Sequence, residues 1–204
     1  VFFPDSGIRT ELTTTEHTGF YRFTFPNTER GAVLIDLGAG DNSIEIVGDR
    51  TVRGRGQRGG RCFVAEFSKP FKSFGTFRQN QPRLEGARVR RDDAVDVESR
   101  SMSGSYAGAY LEFSTTAGEQ ILVRIASGRS FDAAQRQLET DSADFDAVHQ
   151  SAKDAWSEKL NLIEIKGGTE KERGLFYSTL YNSLLTPRLI SKQGSPLRGR
   201  NSDG

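Results

Sequence analysis

The chain has 204 residues, of which 35% are hydrophobic and 27% charged. This composition excludes a disordered chain, and the length suffices for one domain with a core or for one domain and part of a second. The 28 basic and 27 acidic residues leave a net charge of +1, which gives no reason to expect nucleic acid or an acidic membrane surface. No apolar run approaches the roughly 18 residues that span a bilayer. We therefore predict no nucleic-acid partner and no membrane span.

The residues that most often build metal sites and nucleophilic centres are scarce. Cys62 is the single cysteine, so an intrachain disulfide and a cysteine-built zinc site are excluded. The two histidines, His17 and His149, are too few for a multi-histidine metal cluster and make a histidine-dependent triad unattractive. Any chemistry in this chain would have to use carboxylates.

Up to about residue 130, apolar and polar residues alternate with the period of two that is typical of β-strands. Gly, Pro, Asp or Ser residues close each segment. No helix-period segment lies between the strands, which favours an antiparallel sandwich over β-α-β units. The predicted strands are Phe2–Phe3, Ile8–Thr15, Phe20–Phe25, Ala32–Leu37, Ser43–Val47, Arg50–Arg53, Cys62–Phe67, Ser73–Arg78, Ala87–Arg90, Val95–Glu98, Tyr110–Ser114 and Ile121–Ala126.

After the strand region the period changes to that of a helix. Phe145, Val148, Ala152 and Leu160 recur at helical spacing and predict an amphipathic helix. Leu162–Ile165 then alternates with polar residues before two glycines interrupt the pattern. Two helices and a short connection are therefore expected after the sandwich.

The second helix has a clear start and a clear end. Thr169 and Glu172 have the spacing of a capping box, in which hydroxyl and carboxylate satisfy each other's backbone amides. Pro187 ends the helix, because its ring excludes the preceding residue from the helical region. The apolar stripe between them consists of Phe176, Leu180 and Leu184. Only about 17 residues follow, so we expect most of the surface that covers this stripe, and part of the protein, to lie outside this chain.

One stretch resembles a nucleic-acid-binding segment. Arg53, Arg55, Arg58 and Arg61 alternate with glycines as in the RGG segments that bind single-stranded nucleic acid. The stretch is short, contains no aromatic residue and is flanked closely by strands. The interpretation that fits better is a loop that is exposed to solvent or faces another domain.

The remaining polar candidates have ordinary structural interpretations. A charged turn that leads into a half-exposed strand explains the acidic residues as well as a cation site or an acid-base pair would. These residues are Asp92, Asp93, Asp96 and Glu98. His17 and His149 are predicted to be surface residues. Trp156 is predicted to be a core residue or a domain-interface anchor.

A series of short blocks covers most of the chain in a fixed order. The blocks are Ile8–Glu16, Gly19–Pro26, Val64–Phe67, Lys69–Phe71, Phe145–Trp156, Ile163–Ile165, Gly167–Glu170, Phe176–Tyr177 and Tyr181–Pro187. In their order and spacing they resemble the exo-acting α-mannosidases of glycoside hydrolase family 92.

The resemblance implies a mainly β fold class with a helical continuation. Residues 1–140 would be an N-terminally truncated antiparallel β-sandwich, residues 141–168 a helical linker, and residues 169–204 the start of a truncated catalytic (α/α)6 barrel, with its first helix. The partners it implies are a mannose-containing glycan and the protein's own C-terminal catalytic domain. Family habit also implies a periplasmic, secreted or cell-surface location.

The family removes terminal mannose with inversion, using a glutamic acid as general acid, an aspartate as base and a calcium ion that holds the sugar. These groups lie in the barrel, so the resemblance implies calcium bound outside this chain. We assign no catalytic residue and no metal ligand to residues 1–204.

Substrate-binding residues are expected from the loop that follows the first barrel helix. In the family this loop carries an Arg-Gly pair followed by an aspartate near the sugar-binding end of the pocket. Here Arg198 and Gly199 match the pair, Asn201 occupies the usual place of the aspartate, and Asp203 aligns only with a gap. The resemblance therefore implies Arg198 and Asp203 as substrate-binding residues.

Two other functions are also compatible with the sequence. A different inverting (α/α)6 sugar enzyme, such as a disaccharide phosphorylase, would require a phosphate-binding cluster downstream. A non-catalytic carbohydrate-binding or interaction sandwich would bind through an exposed aromatic platform within residues 1–140.

Overall fold

The computed structural model describes residues 1–56, 61–78 and 94–185. The strands in these ranges are β1 (Phe2–Phe3), β2 (Ile8–Thr14), β3 (Thr18–Thr24), β4 (Thr28–Asp36), β5 (Asn42–Val47), β6 (Thr51–Arg55), β7 (Cys62–Phe67), β8 (Ser73–Arg78), β9 (Ala94–Val97), β10 (Ser101–Gly104), β11 (Ala107–Thr115) and β12 (Gln120–Gly128). The helices are α1 (Phe131–Thr140), α2 (Phe145–Leu160) and α3 (Glu170–Leu184). The chain divides into two compact units, Val1–Ala152 and Lys153–Gly204.

The strands form two antiparallel sheets, which confirms the predicted sandwich. The eight-stranded sheet has the order β1-β2-β3-β12-β7-β6-β5-β10, and the four-stranded sheet has the order β4-β11-β8-β9. Their facing side chains build one core in which Val52, Leu111 and Phe113 are fully buried. Rings from both sheets meet there, as Phe67 and Phe113 do at 5.9 Å between centroids.

The eight-stranded sheet is apolar on both faces, unlike a sheet with one solvated face. Along β3, Tyr21 points into the sandwich core while the neighbouring Phe20 is buried on the opposite face. Helices cover that outer face. Ala134 and Leu138 of α1 pack on β7 and β12, and Phe145 at the start of α2 packs on Phe20.

Most predicted elements are confirmed with shifts of one to four residues at their ends, but two elements were not predicted. Strand β10 was not predicted, because Ser101–Gly104 lacks an apolar alternation. Helix α1 was also missed, although Ser130 caps it by accepting a hydrogen bond from the Ala133 amide. Leu162–Ile165 forms a turn and irregular chain, as expected for a short connection between helices. The predicted strand Ala87–Arg90 lies outside the described residues.

Two glycines allow aromatic rings to lie across the neighbouring strand. Gly108 of β11 is opposite Phe77 of β8, and Gly75 of β8 is opposite Tyr110 of β11. A Cβ atom at Gly108 would overlap the Phe77 ring, and one at Gly75 would overlap the Tyr110 phenol. Each ring therefore occupies the space that a side chain on its cross-strand partner would need.

Helix α3 begins as predicted and leaves its apolar residues incompletely covered. Thr169 and Glu172 form both hydrogen bonds of the capping box. No residue of α3 is fully buried, and Leu175 and Leu185 are 68% and 55% exposed. The predicted stripe of Phe176, Leu180 and Leu184 is half-buried.

The two-sheet core predicts a contrast between two leucines on adjacent strands. Leu111 on β11 is fully buried, whereas Leu34 on β4 is 65% exposed. Leu111→Ala should lower the free energy of unfolding by about 2–5 kcal/mol, because it leaves a cavity between the sheets. Leu34→Ala should stay within about 0.5 kcal/mol of the parent. Urea unfolding of the two variants measures the difference, and equal losses would contradict the assigned core.

Candidate functional site

The residues expected to bind substrate, Arg198 and Asp203, lie outside the described part of the chain. Their role stays a prediction. Asp92 and Asp93 also lie outside it. Asp96 and Glu98 are both exposed.

Two arginines of the Arg-Gly stretch make contacts within the sandwich. Arg53 donates to Glu45 at 2.8 Å, and its guanidinium lies 4.9 Å from the centroid of the Phe131 ring at the start of α1. Arg61 donates to the carbonyl oxygen of Ser127 at 3.3 Å. These contacts give both arginines a structural role. Arg53 belongs to strand β6, so the expected loop does not include the start of the stretch. Arg58 lies outside the described residues.

The two histidines and Trp156 occupy the environments expected from the sequence. His17 and His149 are exposed. The imidazole of His149 stacks on the Phe145 ring at 6.3 Å between centroids. Trp156 is half-buried and packs against Tyr181 at 4.6 Å, so it is a packing residue of the second compact unit.

Arg22 forms a charged cluster on the outer face of the eight-stranded sheet, where α2 begins. Its Nε and Nη2 donate to the two carboxylate oxygens of Glu11 at 3.0 and 3.1 Å, and its Nη1 donates to Asp146 at 2.8 Å. The guanidinium also lies 4.2 Å from the centroid of the Phe145 ring. The hydrogen bonds from Arg22 lower the pKa of Glu11, because they favour its charged form. The cluster connects β2 and β3 to the first turn of α2.

Arg124 forms a second cluster beneath α1. Its Nη2 donates to Glu66 at 2.7 Å, and its Nη1 donates to the carbonyl oxygen of Leu138 at 3.0 Å. That carbonyl belongs to the last turn of α1, where the helix dipole favours a cation. Gln135 donates to the second oxygen of Glu66 at 2.9 Å. The contacts of the Leu138 carbonyl with Arg124 and of the Gln135 amide with Glu66 therefore hold the helix on the sheet.

A third polar contact joins the end of α1 to the turn between β2 and β3. The Thr15 hydroxyl donates to the Asp141 carboxylate at 2.5 Å. This hydrogen bond is the main reason why the pKa of Asp141 is lowered. None of the three clusters was predicted from the sequence. The signal available was a charged residue in the middle of an apolar strand, as at Arg22 and Glu66, but the partners of such residues depend on how the strands pair.

The described residues do not assemble a metal site. Within residues 1–56, 61–78 and 94–185, no group of three or more His, Cys, Asp or Glu side chains is arranged to hold a metal ion. Since Ca²⁺ takes about 6–8 oxygen ligands, the carboxylates of these described residues do not fit a calcium site.

An open groove lies between the two sheets beside strand β4. Its volume is about 240 Å³, which is below the roughly 300–1,000 Å³ of typical small-molecule pockets. The residues that line it are Tyr21, Phe23, Val33, Leu34, Ile35, Asp36, Phe67, Val123 and Ile125. Tyr21 and Phe23 stack with their rings 8° from parallel. Asp36 is the single carboxylate among the lining residues, so the groove lacks the pair of carboxyl groups that glycoside hydrolysis uses.

Two family models match consecutive parts of the chain. The glycosyl hydrolase family 92 N-terminal domain matches residues 1–127, and the glycosyl hydrolase family 92 catalytic domain matches residues 133–202. The chain therefore belongs to glycosyl hydrolase family 92.

Known proteins of this family resemble the chain over nearly its whole length. The structure of the family GH92 inverting mannosidase from Bacteroides thetaiotaomicron is 30% identical, with a TM-score of 0.76, over 96% of this chain and 27% of that one. A second GH92 α-mannosidase from the same organism has a TM-score of 0.72 at 23% identity, over 96% of this chain and 28% of that one. At this lower identity the likeness supports the fold alone.

A fungal relative is also similar to the chain over most of its length. It is described as an uncharacterized secreted glycosidase of Arthroderma benhamiae and is 26% identical, over 90% of this chain and 27% of the relative. The chain thus spans about 27% of the length of the relatives it matches. None of the helices in the described residues combines the length and the apolar character that a membrane crossing needs.

The Arg22 cluster predicts a pH-dependent contribution to stability. Because the folded pKa of Glu11 is lowered, its contribution is present above the unfolded pKa of about 4.3 and is lost as the pH falls through the folded value. Glu11→Gln should therefore reduce the free energy of unfolding at pH 7 and approach the parent at acidic pH. The measurement is urea unfolding across this pH range.

The exposed Glu16→Gln is the matched control, because it removes a carboxylate from the turn after β2 without touching the pair of Glu11 and Arg22. A Glu11→Gln profile parallel to the parent profile would show that the pair with Arg22 contributes nothing to pH-dependent stability.

Proposed function

We propose that these 204 residues are part of a longer inverting exo-α-mannosidase that hydrolyses terminal α-mannosides of glycans. The observation that carries the proposal is the match of the N-terminal and catalytic family 92 models to successive parts of the chain. The inverting B. thetaiotaomicron mannosidase at 30% identity supports the reaction type.

The chemistry is assigned to the part of the enzyme beyond this chain. An inverting hydrolase needs two carboxyl groups about 6.5–9.5 Å apart, one to protonate the leaving oxygen and one to activate water. Three acidic residues of the sandwich and α1 are engaged in structural contacts: Glu11 and Glu66 with arginines, and Asp141 with a hydroxyl. These contacts leave them unsuited to either role. A calcium ion, bound outside these residues, would supply charge stabilisation at the sugar.

The described residues would have a supporting role in this enzyme. The outer face of the eight-stranded sheet holds α1 and the start of α2 through Arg22 and Arg124. The match to the catalytic-domain model begins at residue 133, within α1. The arginine contacts therefore fix the segment through which the sandwich continues into the catalytic domain.

A location outside the cytoplasm is part of the proposal. The fungal relative is described as secreted, and a glycan-degrading enzyme meets its substrate there. The lone, buried Cys62 is compatible with such a compartment.

The longer enzyme should hydrolyse α-mannosides with inversion, whereas the 204-residue chain alone should not. The measurement is proton NMR of the anomeric signal during hydrolysis of a mannobiose, with and without a chelator of calcium. Chelation should abolish turnover, and added calcium should restore it. Release of mannose 1-phosphate in phosphate buffer would indicate a phosphorylase instead, and turnover by the 204-residue chain would show that the active site is misplaced.

Arg198 and Asp203 should contribute to substrate binding in the longer enzyme. Arg198→Ala or Asp203→Ala removes a charged hydrogen-bonding group, which typically costs about 1.5–3 kcal/mol, or about 10- to 150-fold in kcat/KM. Lys192→Ala, in the same segment, is the matched control and should have no such effect. Unchanged kcat/KM and KM in both test variants would remove these residues from the site.

A further inference from the structure

Strand β4 is an edge strand whose outer peptide groups face the groove. It pairs with β11 on one side, and no described strand lies on the other. The Leu37 amide donates to the Ala107 carbonyl at 3.1 Å, just beyond the ladder in which Asp36 is opposite Gly108. In an antiparallel pair, hydrogen-bonded and non-hydrogen-bonded positions alternate.

The odd-numbered residues Val33 and Ile35 therefore bond to β11, and the even-numbered residues point their peptide groups outward. These are Ala32, Leu34 and Asp36. The exposure of the side chains follows the same alternation, since Val33 and Ile35 are half-buried against the eight-stranded sheet while the even-numbered residues are exposed.

The groove provides an apolar surface next to this open edge. Tyr21 and Phe23 of β3 contribute two nearly parallel rings. On the neighbouring strand β2, Leu12 is opposite Tyr21 and is 55% exposed. The eight-stranded sheet thus continues past the edge of the four-stranded sheet and presents exposed apolar side chains beside peptide groups that no described strand pairs with.

A strand that is added to a sheet edge uses two features. It forms hydrogen bonds with the outward peptide groups of the edge strand, and its side chains pack on an adjacent apolar surface. The hydrogen bonds of the edge bind any extended chain, and the surface selects apolar side chains at alternate positions. The lining of the groove is apolar apart from Asp36, which suits apolar side chains better than the hydroxyl groups of an oligosaccharide.

We infer that the groove beside β4 receives one further strand, apolar at alternate residues, from a part of the same polypeptide outside these 204 residues. This inference rests on the proposed function, because it uses the longer polypeptide proposed there. The relatives are long enough to supply such a segment, since this chain spans about 27% of their length. A covalently linked segment also has a high effective concentration at the groove.

A second copy of the chain does not fit this edge. Antiparallel pairing of two β4 strands about a two-fold axis would place both eight-stranded sheets on the same side. In each copy β3 lines the groove beside β4, and β2 and β1 follow β3 at the end of the eight-stranded sheet, so the two sheets would collide. A single strand avoids this collision.

Hydrogen exchange at individual amides of β4 tests the inference. In the 204-residue chain, the amides of Ala32 and Leu34 should exchange rapidly, while those of Val33 and Ile35 are protected by β11. In the longer polypeptide, the Ala32 and Leu34 amides should exchange at least about 100-fold more slowly. Equal, rapid exchange of these two amides in both proteins would overturn the inference, as would protection in the 204-residue chain that increases with its concentration.

Proline variants give a second test with a matched control. Leu34→Pro removes an outward amide, which an edge strand tolerates when that amide faces solvent. It should leave the thermal midpoint of the 204-residue chain nearly unchanged and lower that of the longer polypeptide. Val33→Pro removes an amide that bonds to β11 and should destabilise both proteins. An equal effect of Leu34→Pro on the two proteins would argue against an added strand.

Measuring mannosidase activity on the same preparation of the longer polypeptide distinguishes failure of the proposed function from failure of the added strand. An active enzyme with rapidly exchanging Ala32 and Leu34 amides would overturn the added strand alone. An inactive polypeptide with protected amides would overturn the proposed function and leave the added strand supported.

Discussion

The need to cover both faces of the eight-stranded sheet determines the organisation of the first compact unit. Adjacent residues of β3, Phe20 and Tyr21, point to opposite faces, and both faces carry large apolar groups. The four-stranded sheet covers one face, and α1 and the start of α2 cover the other. Without the helices, Phe20 and Val64 would be exposed to water, so the sandwich and the helical segment that follows it depend on each other.

The charged clusters are a consequence of this arrangement. A helix that packs on a sheet leaves its terminal backbone groups and the polar edges of the contact to be satisfied. Arg124 satisfies a carbonyl at the end of α1, and Arg22 bonds the first turn of α2 while its guanidinium lies over Phe145. Carboxylates in this layer are therefore used for attachment, which separates them from the catalytic carboxylates proposed for the rest of the enzyme.

Much of the fold could be predicted from periodicity, because most strands have a strong period of two and lie between turn residues. Strand β7 and strand β8 were predicted with their observed bounds. The failures among the strands share a physical cause: β10 has few apolar residues, and the first half of β4 carries the exposed Glu29 and Arg30 of an edge strand. In such segments the backbone ladder, and not side-chain burial, stabilises the strand.

The groove and the arginine clusters were harder to predict from the sequence than the strands. The groove is produced by the order in which β3, β12 and β7 pair and by the position of β4 at the edge of the other sheet. No local sequence pattern predicts which strands pair with each other. The family resemblance gave the expected reaction and the expected residues Arg198 and Asp203, whereas the arginine clusters required the observed packing of helices on the sheet.

The cross-strand arrangement of Gly75 with Tyr110 and of Gly108 with Phe77 has a consequence for engineering. Each ring covers the bare backbone of its partner, so the two members of a pair form one packing unit although they are distant in sequence. Grafting β8 without β11 into another sandwich would leave a ring with no space or a glycine with no cover. Recombination of related sandwiches should therefore exchange these two strands together.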